Sequence, residues 1–376
     1  MSVARAASDA LHARVRRFAL ESLERKTPGE SFAELALAIA EHQRAHNPVL
    51  ARLWGQRSLR FEDIPAVPAD AFRLGRVACF DAAEDVARFQ TSGTTGGAGV
   101  HCFRTLDTYR QLSVVWGRHQ LLPAASARCT VLGLAAPFEP ERRSSLGFMM
   151  QEFMREFDGR ALAGDGPFDP LEPGRWLLAP GALDREALRR GAERAARHGE
   201  PVLLLATSFA LSWLLDALAG ERLALPPGSR VMQTGGFKGH ARSLDDAALA
   251  DALCEALQLQ RADLIGEYGM TELSSQLYDG GFAQGLAGQS PPGQSVFLEP
   301  PWLRVTPVDP ISLLPVADGE PGLACFTDLA NVDSSLRILT QDLVRRVGTG
   351  VVLLGRRPGA SLRGCSLVAE ALADAR

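Results

Sequence analysis

The sequence has no run approaching the roughly 20 uninterrupted apolar residues that a membrane-spanning helix needs. Its opening residues, MSVARAASDALHARVRRF, break every apolar stretch with Arg or His and so hold no signal-peptide core. A cytoplasmic location is the expectation. Six cysteines, at 79, 102, 129, 254, 325 and 365, are scattered without a CxxC pair, the pattern of free thiols in a reducing compartment rather than of a disulfide scaffold. Charge of neither sign dominates. Forty Lys+Arg face 44 Asp+Glu for a formal net charge of -4, which argues against a general electrostatic grip on nucleic acid. Internal repeats and low-complexity tracts are also absent. His42 and His46 stand one helical turn apart with no third ligand in view, so a solvated helix face is expected there rather than a metal site.

What remains is the composition of a folded globular protein: 376 residues, 46% hydrophobic and 22% charged, enough for two or three domains or for one large α/β domain with a small appendage. Residues 31–45, SFAELALAIAEHQRA, space Phe32, Leu35 and Ile39 for one helix face, with Ser31 as N-cap and Glu34 completing a capping box. IPAVPAD at 64–70 reads as an extended connector leading to a polar, glycine-rich loop at 91. The middle of the chain alternates. DREALRRGAERAARHG predicts a helix, VLLLAT a buried strand, FALSWLLDALAG a helix, SRVMQTGG a strand, SLDDAALADALCEALQL a helix capped by Ser243, and ADLIGEYG a strand. This βαβα order predicts a mainly parallel sheet covered by helices, with ligands bound at the carboxyl ends of the strands. From 296 onward, short strands separated by Gly, Pro and Asp predict a small antiparallel β subdomain. The domain expectation is 1–290 as an α/β region and 291–376 as the β-rich part.

Two stretches carry chemistry. Thr91-Ser92-Gly93-Thr94-Thr95-Gly96-Gly97-Ala98-Gly99 combines glycines, which let backbone approach a ligand closely, with hydroxyls and successive N–H groups suited to phosphate oxygens. It is neither GxxxxGK[ST] nor GxGxxG, and on its own it also fits a flexible glycine loop. Gly266-Glu267-Tyr268-Gly269-Met270-Thr271-Glu272 follows a predicted strand and offers an aromatic, a hydroxyl and a carboxylate, the parts needed to stack a base, bind a phosphate and hold Mg²⁺ through oxygen. Alone it fits a strand-to-helix turn capped by Thr271.

Together, and in this order, the two stretches resemble signature motifs of the adenylate-forming superfamily of acyl-CoA synthetases, adenylation domains and luciferases. Thr340-Gln341-Asp342-Leu343-Val344 resembles the superfamily's TGDL segment, and Leu354-Gly355-Arg356 its GR. A narrower likeness is to the acyl-protein synthetases of bacterial bioluminescence and, beyond them, to phenylacetate-CoA ligases. It rests on IPAVPADAFR at 64–73, FQTSGTTG, ERRSSLGFMM at 141–150, QTGGFKG at 233–239 and RGCSL at 363–367.

The resemblance implies ATP and Mg²⁺ as cofactors. Thr91, Ser92, Gly93, Thr94, Thr95 and Gly96 would embrace the phosphates. Tyr268, with Gly269 and Met270, would stack the adenine; Thr271 would bind phosphate, Glu272 the metal and Asp342 the ribose, with Gly235, Gly236 and Arg356 completing the nucleotide site. Two departures stand out: Ala98-Gly99 replace the usual Pro-Lys, and Gln341 replaces Gly. Members of the superfamily continue past the GR motif into a mobile C-terminal subdomain bearing a catalytic Lys. This sequence ends 20 residues after Arg356, so that subdomain is expected to be absent or truncated, and Lys238 is the candidate for its work of neutralising charge. Cys365, two residues after Arg363, matches the acyl-accepting cysteine of the acyl-protein synthetases, and a nearby cation favours its thiolate. Phe148, Met149, Met150, Phe153 and Met154 would wall an acyl pocket or pack the core.

The expected function is ATP-dependent activation of a carboxylic, fatty acid to acyl-AMP and transfer to a thiol, first Cys365 and then a partner protein such as a reductase or transferase subunit or a carrier protein. Neither nucleic acid nor a membrane span enters this expectation. Direct transfer to coenzyme A or a carrier, and a non-catalytic nucleotide-binding role, are the alternatives.

Overall fold

The computed structural model describes residues 3–55, 60–91, 98–122, 128–158, 175–235, 246–279 and 295–358. The N-terminal elements are α1 (Val3–Leu23), α2 (Phe32–His46), α3 (Pro48–Trp54), β1 (Val67–Pro68), α4 (Ala71–Leu74), β2 (Ala87–Gln90) and β3 (Val100–Phe103). Next come α5 (Asp107–Leu121), β4 (Thr130–Leu134), α6 (Ser145–Phe157), β5 (Leu178–Ala179), β6 (Ala182–Leu183), α7 (Arg185–Arg197) and β7 (Val202–Thr207). They are followed by α8 (Ser208–Leu218), β8 (Arg230–Thr234), α9 (Asp246–Leu257), β9 (Leu264–Tyr268) and β10 (Leu277–Asp279). Strands β11 (Val296–Leu298), β12 (Leu303–Val308), β13 (Pro321–Asp328), β14 (Arg337–Val347) and β15 (Gly350–Arg356) close the described chain.

Two compact units are built from these elements, and neither is one continuous stretch. Among the described residues the first takes 3–113, 269–277 and 295–358, and the second takes 114–268 and 278–279.

In the second unit the strands run parallel in the order β4-β7-β8-β9, with Thr130 opposite Val202, Leu205 opposite Met232 and Met232 opposite Ile265. Every residue of β7 is buried, as a continuous apolar run requires when helices cover both faces of a sheet. Helices α7, α8 and α9 supply one of those covers, and α6 reaches the other face, where Met154 meets Gly133. Leu188, Ala192 and Ala195 of α7, Leu211 and Leu214 of α8, and Leu249, Leu253 and Leu257 of α9 share one core with Leu132 and Leu204. Caps fix where the helices start: Asp184 accepts from Ala187 N–H at 2.8 Å and Thr207 from Ala210 N–H at 3.2 Å, each type of bond worth ~1 kcal/mol. Gly191 lets α7 lie against β4, since a Cβ there would sit 2.8 Å from Leu132 Cδ1. The expected βαβα alternation is thus present, although Ser243 lies outside the described residues.

In the first unit β12-β13-β14-β15-β11 form an antiparallel sheet. Two bulges, between Leu323 and Cys325 and between Leu343 and Val344, interrupt its registers. The stretch expected as an extended connector is more than that: β1 pairs in parallel with β14, Val67 opposite Ile338. Pro68 and the backbone before it are already restricted to extended conformations, so adding to a sheet costs little further order. The capping box at Ser31 forms as expected, with Glu34 N–H donating to Ser31 Oγ at 3.2 Å and Ser31 N–H to Glu34 Oε2 at 2.8 Å.

One expectation is corrected. His42 is not on a solvated face: it is 8% exposed, with Nε2 3.6 Å from Asp333 Oδ1, while His46 stays exposed. Asp333 is the reason. Its carboxylate also accepts from Ser8 Oγ at 2.6 Å, pairs with His12 Nε2 at 3.0 Å and lies 3.4 Å from Arg104 Nε, and these cations and donors hold it far below the usual carboxylate range against the cost of burial. A cavity of about 390 Å³ lies beside this cluster. Among the described residues Cys79, Cys102, Cys129, Cys254 and Cys325 are free thiols, and no helix is long and apolar enough to cross a membrane.

Candidate active site

Thr91 and Gly99 of one motif and Thr271 and Glu272 of the other lie in the first unit. Strands β2 and β3 form a hairpin with Gln90 opposite Val100, and the loop between them is pinched shut at its base. There Thr91 N–H donates to Gly99 O at 2.9 Å and Gly99 N–H to Thr91 Oγ1 at 2.8 Å. The space at Gly99 is tight, a Cβ there lying 3.3 Å from both Arg73 Cγ and Thr91 Cγ2. The remaining phosphate-loop candidates, Ser92, Gly93, Thr94, Thr95 and Gly96, lie outside the described residues.

Onto this hairpin folds the segment that follows Tyr268. Thr271 Oγ1 donates to Gln90 O at 3.3 Å, and His101 Nδ1, on β3, donates to Thr271 O at 2.8 Å. A carbonyl only accepts, so the ring proton sits on Nδ1. Complete burial pushes the His101 pKa down to about 4, which keeps the ring neutral and the bond in place across the physiological range. Residues 90 and 271, far apart in sequence, are thereby neighbours. Glu272 is 1% exposed, and its main-chain carbonyl accepts from Asn331 Nδ2 at 2.9 Å.

The third motif is formed by strand pairing. Asp342 and Arg356 are direct partners across β14 and β15, with Arg356 Nε 3.4 Å from Asp342 Oδ1, and Asp342 N–H donates to Thr340 Oγ1 at 3.1 Å. Both side chains remain partly exposed. Gly355 beside them has φ of 98°, a conformation that glycine adopts without the strain a Cβ brings.

Within the second unit two candidate residues sit at strand ends. Tyr268 closes β9, Gly269 and Met270 follow it in the chain, and Gly235 directly follows β8 with φ of 77° while its carbonyl accepts from Ser208 Oγ. Thr234 and Glu267 are register partners on β8 and β9, and their side chains are hydrogen-bonded. Burial pushes the Glu267 pKa up to about 7, against the opposing effect of that bond. Gly236 and Lys238, the other candidates after β8, and Cys365 near the C-terminus lie outside the described residues.

At the carboxyl ends of β4 and β7 is a cavity of about 60 Å³ lined by Leu134, Phe138, Leu146, Gly147, Met150 and Thr207 among others, with Glu139 and Arg142 on its wall. The Met and Phe cluster of α6 divides its work. Met150 lines the cavity, whereas Met154 and Phe153 fill the spaces left by Gly133 and Gly117.

Sequence reasoning missed His101, Asp328, Asn331 and Gln43, all buried in the first unit. The one available signal was the polar run TDLANVDSS at 327–335 between two apolar strands, which marks a buried polar loop without saying what it holds.

The fold defines the class: the described residues take the fold of the adenylate-forming ligases. Within that class its curated relatives are long-chain-fatty-acid–luciferin-component ligases. The one from Vibrio harveyi is 24% identical over 319 residues, covering 81% of this chain and 77% of its own length. The one from Aliivibrio fischeri is 22% identical over 321 residues, covering 81% and 78%. Among solved structures, an open conformation of 2-hydroxyisobutyryl-CoA ligase in complex with 2-HIB-AMP and CoA superposes with a TM-score of 0.57 at 17% identity, over 88% of this chain and 76% of that one. The same ligase in the postadenylation state gives 0.56 at 16% identity, over 91% and 69%. No family model matches the sequence.

Proposed function

We propose that the protein uses ATP to activate a carboxylic acid, of the fatty class carried by its curated relatives, as acyl-AMP and then passes the acyl group to a thiol. The observation that carries this reading is the hydrogen bond from Thr271 to the carbonyl of Gln90, which sets the YGMTE segment at the base of the phosphate-loop hairpin. In the first half-reaction a carboxylate oxygen of the acid attacks the α-phosphorus. The new acyl–O–P bond forms as the bond to the bridging oxygen breaks, and pyrophosphate leaves with that electron pair.

The chain's residues bind and orient. Thr91 to Gly96 and the Thr271 hydroxyl take the phosphates, the Tyr268 ring the adenine, and Asp342 the ribose hydroxyls, with Arg356, Gly235 and Gly236 as further nucleotide-binding residues. Lys238 neutralises charge as it develops on phosphorus. The oxygen donors of Glu272 and Thr271 suit a hard cation such as Mg²⁺, which when bound offsets phosphate charge as a Lewis acid. Residues 1–290 furnish the ATP and acyl sites, and 291–376 complete the nucleotide site and carry Cys365. The small cavity walled by Met150, Phe138 and Thr207 is the entry for the acyl chain.

In the second half-reaction the Cys365 thiolate attacks the acyl carbonyl, AMP departs with the electrons of the acyl–O bond, and an acyl-acceptor protein in the cytoplasm, a reductase or transferase subunit or a carrier protein, takes the acyl group from the cysteine. A second reading, direct transfer to coenzyme A, is favoured by the CoA in the superposed ligase. The test is to incubate the protein with α-labelled ATP and a panel of fatty, short-chain and aryl acids and to resolve the nucleotides. Acyl-AMP forming with one class of acid supports the proposal, and AMP or adenylate formation with none of them overturns it.

A further inference from the structure

The loop joining β13 to β14 is polar and yet fully inside. Asn331 is 1% exposed and Asp328 0%, and most buried polar groups are hydrogen-bonded. Asn331 makes its bonds in a way that points at one neighbour. Its Nδ2 donates to Glu272 O at 2.9 Å and to Ser335 O at 3.0 Å, and its Oδ1 accepts from Ser274 Oγ at 2.6 Å. One amide thus grips residue 272 by its carbonyl and residue 274 by its hydroxyl. Asp328 continues the grip, accepting from Ser274 N–H at 2.9 Å and from Ser275 Oγ at 2.7 Å. The loop itself is braced from α2. Gln43 Nε2 donates to Asn331 O at 2.7 Å and to Val332 O at 3.0 Å, and its Oε1 accepts from Leu336 N–H at 3.0 Å.

We propose that Asn331 is a positioning residue that sets the metal-binding carboxylate of Glu272, through the Glu272 main-chain carbonyl, and so couples Mg²⁺ to ATP binding. This rests on the assignment of Glu272 to the metal under Proposed function. The physical reason is reach. A carboxylate side chain has few torsions between its oxygens and Cα, so an error in the backbone at 272 passes directly to the ligand oxygens, and Gln43 prevents the Asn331 loop from recoiling to absorb it. The Asn331 amide bonds to residues 272, 274 and 335 of the chain itself. Groups that orient a metal ligand from behind change metal affinity by about 10-fold or more when removed.

The experiment measures binding of a non-hydrolysable ATP analogue to the full chain by calorimetry, with Mg²⁺ and with EDTA, alongside the thermal midpoint of each variant. In the wild type Mg²⁺ tightens analogue binding. Asn331→Ala is expected to lose about 10-fold of that tightening while its affinity in EDTA stays at the wild-type value. Asn331→Asp, which keeps the acceptor for Ser274 but sets an oxygen against the Glu272 carbonyl, is expected to lose at least as much. Ser274→Ala leaves the bond to Glu272 intact and is expected to keep most of the tightening. Should Asn331→Ala fail to fold, Asn331→Ser carries the same comparison. Full Mg²⁺ tightening in the Asn331 variants, or an equal loss in Ser274→Ala, overturns the proposal. A Glu272→Gln arm separates the two levels: if that variant also keeps full tightening, the assignment of Glu272 to the metal fails, and this proposal with it.

Discussion

Replacing Glu267 by Gln should change how the protein's stability depends on pH, because a carboxyl group whose protonated form is favoured by the fold binds more protons folded than unfolded. Burial on β9, opposite Thr234 of β8, raises the Glu267 pKa from 4.5 to about 7. Between those two values the folded state holds the extra proton, so the stability of the wild type falls as pH rises; the contribution is fully present below 4.5 and is lost through pH 7. At 1.36 kcal/mol per pKa unit the whole change amounts to about 3 kcal/mol. Gln cannot ionise, and its amide can still bond the Thr234 hydroxyl. The assay is urea unfolding of wild type and Glu267→Gln followed by tryptophan fluorescence at closely spaced pH values. Every other titrating group, His101 included, cancels in the difference between the two proteins. The variant should gain about 3 kcal/mol on the wild type between about pH 4.5 and about pH 8. A difference that stays flat over that range, or slopes the other way, refutes the burial account of this pair.

Lys238→Ala should slow adenylate formation in single turnovers by ~10²–10³, the effect of losing one preorganised electrostatic stabiliser, with ATP affinity nearly unchanged; an unaltered rate would show that Lys238 takes no part. Cys365→Ser should still form acyl-AMP but accumulate no hydroxylamine-sensitive thioester, since a serine hydroxyl is a far weaker nucleophile at neutral pH. Label carried by another cysteine, or passed equally well to coenzyme A by both proteins, would favour direct transfer.

Much of the parallel unit was legible because its signals are local. The apolar run of β7, the Gly and capping residues that bound α7 and α8, and the one-sided spacing of Leu249, Leu253 and Leu257 each report on a few neighbouring residues. The antiparallel character of β11 to β15 followed from short strands and frequent turns in the same way. What was not legible depends on contacts across the chain. Val67 joining Ile338, and Ser8, His12 and His42 converging on Asp333, need the fold before they exist. A helical-spacing argument that sees only α2 therefore places His42 in solvent. The motifs were visible as text, whereas the bonds of Thr271 and Glu272 to Gln90, His101 and Asn331 were not, because a carbonyl acceptor leaves no mark in the side-chain sequence.

ATP–pyrophosphate exchange across a panel of carboxylic acids tests the proposed acid activation by the β2–β3 hairpin and the Tyr268 to Glu272 segment. Exchange that requires both one class of acid and Mg²⁺, and that collapses in Glu272→Gln, is the predicted result. A wild-type protein that binds ATP yet exchanges no pyrophosphate with any acid, or a Glu272→Gln variant that exchanges as fast as wild type, would contradict it.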